Sequence, residues 1–488
     1  MSMAGTVLQG KGESAIAQTV CVDLDGTLIA TDMLWECVLG LSRKRPLSLL
    51  LLPIWLLRGR AYLKARLAEA VTIDAQRLPY RQDVLRLIAG LKEECARQLV
   101  LATASDQRLA TAVAAHLGIF DEVLATENGC NLKGQAKADA LRARFGDDFL
   151  YIGDSTADLP VWAAARQGIV VGSKELAQRA AKLTEVREVV EVPDADAGTY
   201  WHALRPHHWS KNVLLLLPLV LAHRADAGAW ARTVLGMFLF GLAASGVYVI
   251  NDLLDLPSDR EHPWKRRRAF ASGRLSIAKG MVMAPGLLLC GIGAGWYWLG
   301  HGFAAAVAGY CALSLAYSMV LKRKTLVDVF VLTSFYGVRI LTGALITHTP
   351  LSDWFLMFSM FFFFSLALAK RYSELMHAKA LVAAGNSGRG YRAVDSPLLS
   401  VMGVASAFSA IIVFSLYTRS AEVSHLYPHP EPLLLIAPIL LYWMMRLWMR
   451  AGRGDLQEDP VTLAMRDPMS YVVGLSCGLC ILITFLWR

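Results

Sequence analysis

From about residue 205 onward the chain is a succession of long apolar runs separated by short polar segments. No other feature limits its fold as strongly, because a helix that crosses a bilayer needs roughly 20 apolar residues and few soluble folds can bury so many. The expected spans are 211–223, 231–250, 277–299, 302–321, 326–347, 353–369, 398–417, 431–449 and 470–487, nine in all. The first is short and carries Pro218. Composition agrees, with 55% hydrophobic and 18% charged residues, against about 25% charged in a soluble chain. A disordered or collagen-like chain is excluded, and a wholly soluble one is disfavoured.

The net charge of +9 is distributed by loop. Arg205 and Lys211 precede the first span. Arg260, Lys265, Arg266, Arg267, Arg268 and Arg274 lie in 251–276, and Lys322, Arg323 and Lys324 in the next loop on that side. Segments 370–397 and 450–469 are basic too, whereas the intervening loops carry one Lys or Arg at most. This alternation places residues 1–195 in the cytoplasm and the C-terminus outside, in a multi-pass (inner) membrane protein. The basic residues follow loop sides and form no aromatic-interleaved face, so nucleic acid is not an expected partner. Of eight scattered cysteines only Cys477 and Cys480 form a CxxC pair. It sits in an apolar run without His or charge, so no disulfide framework or metal site is expected.

Residues 1–195 read as a soluble α/β domain, 196–204 as a linker and 205–488 as the membrane domain. The polar start lacks the basic and apolar regions of a signal peptide. Thr19–Val22 is an apolar β-branched strand followed at once by Asp23-Leu24-Asp25-Gly26-Thr27. Two carboxylates at a strand end, two residues apart, can divide the work of phosphoryl transfer: one attacks phosphorus, the other protonates the leaving oxygen. Gly26 frees the backbone to turn towards a phosphate. The bland reading is a strand-end turn with solvated acids.

Two further strands carry polar ends: 98–102 runs into Thr103-Ala104-Ser105, and 149–152 into Gly153-Asp154-Ser155-Thr156-Ala157-Asp158, with Lys137 between them. With these motifs in order, residues 20–185 resemble the haloacid dehalogenase-like phosphatases. The resemblance implies a Rossmann-like α/β fold with Asp23 as nucleophile and Asp25 as general acid/base. Thr103 and Lys137 would hold the phosphoryl oxygens, with Ser105 a further phosphate contact and Lys133 a rival for the lysine role. Asp23, Asp25, Asp154 and Asp158 would form the Mg2+ site, since a phosphate dianion beside several carboxylates needs a cation. Residues 28–97 resemble a helical cap. Within them Pro46–Leu57 is apolar between basic flanks, and suits either a membrane-surface segment or a cap helix buried on the phosphatase core.

The second expected span ends in Asn251-Asp252-Leu253-Leu254-Asp255, with Asp259 beyond. On a helix Asp252, Asp255 and Asp259 share a face. Acids at the end of a lipid-embedded helix suit Mg2+, which shares its shell with substrate phosphates. The motif, with the nine spans, resembles the UbiA superfamily of membrane prenyltransferases, an all-α bundle. The closer resemblance is to the decaprenyl-phosphate phosphoribosyltransferases, carried by Arg205–Asn212, 251–273, Tyr317 to Asp328, Arg339, Ala369–Leu375 and Glu458-Asp459-Pro460 with Asp467. It implies phosphoribosyl pyrophosphate and a polyprenyl phosphate lipid as substrates in the bilayer. Asn251, Asp252, Asp255 and Asp259 would hold Mg2+ and pyrophosphate. Lys211, Lys265, Arg266, Tyr317, Lys322, Asp328, Lys370 and Arg371 would meet phosphates, and Arg339 would contact them or brace the bundle.

The expected whole is a bifunctional enzyme that makes a lipid-linked 5-phosphoribose and removes its phosphate. The alternatives are a prenyl diphosphate:acceptor transferase, a non-catalytic N-terminal module, or a lipid-sugar carrier. Oligomeric state is not legible.

Overall fold

The computed structural model describes residues 19–94, 98–127, 129–381, 390–420, 423, 427–456, 463–464 and 466–486. Glu458-Asp459-Pro460 and the polar start lie outside them. The chain divides into two compact units, one of residues 1–203 with 249–283 and the other of 204–248 with 284–488. The acidic segment after the second expected span therefore packs with the N-terminal residues.

The first unit is built on a six-stranded parallel sheet in the order β3-β2-β1-β4-β5-β6. The strands are β1 Thr19–Val22, β2 Gln98–Asp106, β3 Glu122–Thr126, β4 Phe149–Gly153, β5 Gln167–Gly172 and β6 Glu185–Glu191. Every residue of β1 and β4 is buried, as expected of strands covered on both faces. Val20, Leu99 and Ile152 face one core, Cys21, Val100 and Tyr151 the other. Val22 pairs with Leu101 on one side and Ile152 on the other, so the strands end flush. That register brings Asp23, Thr103 and Asp154 to one carboxyl edge of the sheet, where open α/β sheets bind ligands.

Between β1 and β2 the chain is mostly helical, as expected: Met33–Lys44, Pro46–Leu57, Arg60–Ala70 and Gln82–Glu94. Asp32 caps the first of these by accepting from the Leu34 amide.

The second unit is helical. Eight helices among the described residues are long and apolar enough to cross a membrane, including Ala227–Leu254, which runs on into the first unit, and Ile277–Leu299, which begins there. The remaining expected span, 211–223, takes another form. Its residues fall in a 3-10 stretch, Pro206–Leu216, that becomes a short α-helix, Leu217–Leu221. Proline is accommodated in the first turn of a helix, where its missing N–H would be unbonded anyway, so Pro206 and Pro218 each start a piece and neither becomes a long helix. Tyr336, Phe363, Trp443 and Trp448 anchor one apolar core, and Phe240, Phe303 and Tyr310 another.

Candidate active sites

The carboxyl edge of the first sheet opens into a cavity of about 480 Å3 lined by Asp23, Asp25, Ser105, Lys137, Asp154 and Asp158, among others. The side chains fall into two groups. Lys137, from the helix Gln135–Phe145, is 2% exposed. It donates to Asp23 Oδ1 at 2.9 Å, to the Tyr151 hydroxyl at 2.9 Å and to Asp158 Oδ1 at 3.5 Å. Lys137 is thus the lysine in contact with Asp23, whereas Lys133 is exposed. Asp158 is held in turn by the Tyr151 hydroxyl and by the Ser155 hydroxyl and amide.

The second group surrounds Asp25. Its carboxylate accepts the Met33 amide at 2.8 Å, the Ser105 hydroxyl at 2.6 Å and the Thr103 hydroxyl at 3.5 Å. Thr103 also accepts the Ser105 amide. Thr103 and Ser105 thus orient the acid/base candidate, whereas they were expected on a phosphate.

Asp23, Asp154 and Asp158 can each bring one oxygen to within 4.8 Å of the others, the only such trio among the described residues. Three hard carboxylates in one buried corner fit a divalent cation such as Mg2+. Asp25, expected in this ligand set, is instead turned to the Met33 and Ser105 donors. Gly26 is needed for the same corner: its φ is +80°, and a Cβ there would lie 2.0 Å from Asp154 Oδ2.

The electrostatics follow from burial. Desolvation pushes Asp23 up to about 7, against the pull of Lys137 and with help from Asp158 and Asp25. Burial, then Asp23 and Asp158, pushes Asp154 up to about 8. Asp25 rises to about 6 through burial and the nearby Asp32, opposed by its hydrogen bonds to Ser105 and Met33. Burial lowers Lys137, but Asp23 and Asp158 outweigh it and the ammonium ends above its ordinary value. A carboxyl near 6 is poised to give and take protons around neutral pH.

Lys64 is a contributor that the motifs did not flag. It donates to Ala104 O at 2.6 Å and Asn131 Oδ1 at 2.9 Å, and burial lowers its pKa. Arg60 and Lys133 also line the cavity. No spacing rule points to these cations. Tyr151 did leave a signal, as the one polar residue in an apolar strand.

The acids of the 251–259 segment are not splayed into solvent: Asp252 is 6% and Asp259 2% exposed. Arg268 Nη1 bridges them, at 3.2 Å from Asp252 and 2.6 Å from Asp259. Asp255 stands where the helix Ala227–Leu254 gives way to Leu256–Glu261. Asn251 Oδ1 is buried with no hydrogen-bond partner among the described residues. That orphan acceptor lies on the same short segment as three carboxylates, hard oxygen donors of the kind Mg2+ takes, although among the described residues their oxygens do not gather within 4.8 Å as those of Asp23, Asp154 and Asp158 do. Lys265 and Arg266 are exposed on the same segment. The segment is tied to helix Met33–Lys44 by a buried Arg260–Glu36 pair at 2.6 Å and by Arg43, which donates to Leu253 O at 2.7 Å. At Gly273, φ is +75° and a Cβ would lie 2.2 Å from Ala30 O.

In the second unit Asp328, fully buried, accepts Arg371 Nε and the Tyr391 hydroxyl. Arg371 also reaches the Tyr317 hydroxyl and Glu374. Arg339 donates to Asn212, Tyr310 and the Phe335 carbonyl, as a brace would. The Lys211 ammonium lies 5.9 Å from the Tyr336 ring centroid. Lys322 and Lys370 are half-buried.

Comparison with known proteins agrees with both halves. The UbiA prenyltransferase family matches residues 213–466 and the haloacid dehalogenase-like hydrolases match 20–162. The chain belongs to the UbiA prenyltransferase family and carries a haloacid dehalogenase-like domain at its N-terminus. An uncharacterized protein, y4nM, of Sinorhizobium fredii is 39% identical over 93% of this chain and 88% of its own length. The nodulation protein NoeC of Azorhizobium caulinodans is 36% identical over 58% of this chain and 93% of its own. The decaprenyl-phosphate phosphoribosyltransferase of Mycobacterium tuberculosis is 32% identical over 47% of this chain and 77% of its own. Among solved structures, a UbiA homolog from Archaeoglobus fulgidus bound to GPP and Mg2+ matches with a TM-score of 0.44 at 16% identity, covering 59% of this chain and 98% of that one.

Proposed function

We propose that this chain transfers 5-phosphoribose from phosphoribosyl pyrophosphate to a polyprenyl phosphate, and that its N-terminal domain then removes the 5-phosphate. The transfer half is supported by the identity to phosphoribosyltransferases over about half the chain and by the buried Asp252 and Asp259 with the orphan Oδ1 of Asn251. The phosphatase half rests on one observation: a buried lysine on Asp23 beside a separately held Asp25, both in a cavity. Both sites are proposed to face the cytoplasm.

In the transfer, an oxygen of the lipid phosphate attacks C1 of the ribose, the C1–O bond to pyrophosphate breaks, and pyrophosphate leaves. Mg2+ held by Asn251, Asp252, Asp255 and Asp259 would offset the leaving charge and relieve Arg268 of that task. Lys211, Lys265, Arg266, Tyr317, Lys322, Asp328, Lys370 and Arg371 remain proposed contacts; the internal pairing of Asp328 with Arg371 favours a supporting role for those two.

In the hydrolysis, Asp23 attacks phosphorus and the P–O bond to the ribose breaks. Asp25 gives its proton to the departing O5 oxygen, then takes one from the water that cleaves the aspartyl-phosphate. Lys137 neutralises the carboxylates around the transferring group. A divalent ion held by Asp23, Asp154 and Asp158 would add the charge that a phosphate dianion requires. Lys64, Arg60 and Lys133 would meet the second anion of this substrate, its phosphodiester.

Membranes bearing the wild type or Asp23→Asn, given labelled phosphoribosyl pyrophosphate and polyprenyl phosphate, test the order. Accumulation of the phosphorylated lipid-sugar in the variant is expected. An unchanged product ratio overturns the phosphatase step, and no lipid product in either overturns the transfer.

A further inference from the structure

Residues 46–57 (PLSLLLLPIWLL) hold one polar side chain, Ser48. They fold as a 3-10 turn, Pro46–Leu51, followed by an α-helix, Leu52–Leu57. Leu49, Leu52 and Trp55 pack on the core of the first unit. The other faces are bare: Leu47 is 81%, Leu50 75%, Ile54 51%, Leu56 52% and Leu57 89% exposed. The segment is therefore apolar on both sides, and the core covers only one. Neither expectation for it, a membrane-surface segment or a buried cap helix, describes the whole.

Its place in the unit limits what covers the other side. Arg43, three residues before Pro46, donates to the carbonyl of Leu253. Leu253 lies in the last turn of Ala227–Leu254, a helix whose apolar window has a mean hydropathy of 2.0. Three residues reach at most about 10 Å. The bare leucines thus begin close to where a bilayer-crossing helix ends. At about 2.0 Å per residue in the 3-10 turn and 1.5 Å in the α-helix the segment is about 20 Å long, too short to cross a hydrocarbon core of about 30 Å. Its flanks carry Lys44 and Arg45 on one side and Arg58 and Arg60 on the other, all exposed. Apolar residues between exposed cations match the acyl boundary and the anionic headgroups of a membrane surface.

We propose that Pro46–Leu57 lies in the plane of the bilayer, with Leu47, Leu50 and Leu57 among the acyl chains and Arg45, Arg58 and Arg60 at anionic headgroups. Arg60 also lines the phosphatase cavity, so the contact holds the mouth of that cavity at the lipid surface. The inference does not depend on which ester is cleaved.

The test uses the full chain in vesicles of phosphatidylethanolamine and phosphatidylglycerol. An environment-sensitive fluorescent amino acid replaces Leu50 or Leu57, or Arg86 as a solvent-exposed control, and lipids spin-labelled near the headgroup act as quenchers. Quenching at Leu50 and Leu57 several-fold above that at Arg86, and weaker in phosphatidylcholine alone, is the expected result. Quenching equal to the control overturns the proposal. So does energy transfer between Leu50 probes on separate copies that disappears as the protein is diluted in lipid, because the patch then meets a second copy. Equal quenching in both lipid mixtures overturns the headgroup contact of the arginines.

Discussion

Both units bury charge, and they do so in opposite ways. In the first, Lys137 and Asp23 meet at 2.9 Å on the wall of a cavity, with Asp25 held apart by Ser105 and Met33. In the second, Arg371 and Asp328 are 2% and 0% exposed, and their remaining groups are taken up by Tyr317, Glu374 and Tyr391. Charges that border a cavity can exchange partners with a substrate. Charges closed on one another mainly hold helices in register. The 251–259 segment lies between these cases: Arg268 closes Asp252 and Asp259, while Asn251 Oδ1 stays open.

The largest effect that tests this contrast is at the nucleophile. Asp23→Asn is expected to lower phosphate release from a monoester by at least about a thousandfold, with the transferase product still formed. Residual turnover within tenfold of wild type would remove Asp23 from the chemistry. Next comes the closed pair. Arg371→Met leaves Asp328 buried and unpaired, at a cost of about 3–5 kcal/mol, visible as a large drop in thermal stability in detergent. Replacing both, as Arg371→Met with Asp328→Leu, is expected to restore much of it. If the single change leaves stability intact while abolishing transfer, the pair belongs to the chemistry.

Metal binding sharpens the open side. Asp23 and Asp154, pushed up to about 7 and about 8, hold protons at pH 6 that a ligated cation must displace. Apparent Mg2+ affinity of the phosphatase site is therefore expected to rise more than tenfold between pH 6 and pH 8. Carboxyls raised above their unfolded value favour the metal-free fold in acid, and that advantage is lost as pH rises from about 4 through 7 and 8. A flat profile, with no proton released at pH 6 on Mg2+ titration, would refute the assignment of those two ligands. The smallest effect is at the rim: Lys133→Met is expected to raise KM for the lipid-linked ester several-fold, far less than Lys137→Met lowers kcat.

Much of this was legible in the chain itself. TVCV-DLDGT, LVLATAS and FLYIGDSTAD mark three buried strands and their polar ends, because hydrophobic alternation is lost where a parallel strand is covered on both faces. Of the nine spans expected from apolar length and loop charge, eight fall on helices long and apolar enough to cross a membrane. The place of Lys137 before the ADAL run favours it over the nearby Lys133, but only the helix Gln135–Phe145 shows that this lysine is the one aimed inward at Asp23. Lys64 was equally invisible, as a lysine on a helix with no motif about it.

Sequence by itself determined the family of each half and the apolar helices of the larger one, because motif spacing and apolar length are local properties. The folded chain decided the rest. It divided the acids at β1 into one group on Lys137 and another on Ser105, and it placed 249–283 with the N-terminal residues. It also left the leucines of 46–57 uncovered. These outcomes depend on contacts between residues far apart along the chain, and on the cost of burying charge without a partner, which no local pattern records.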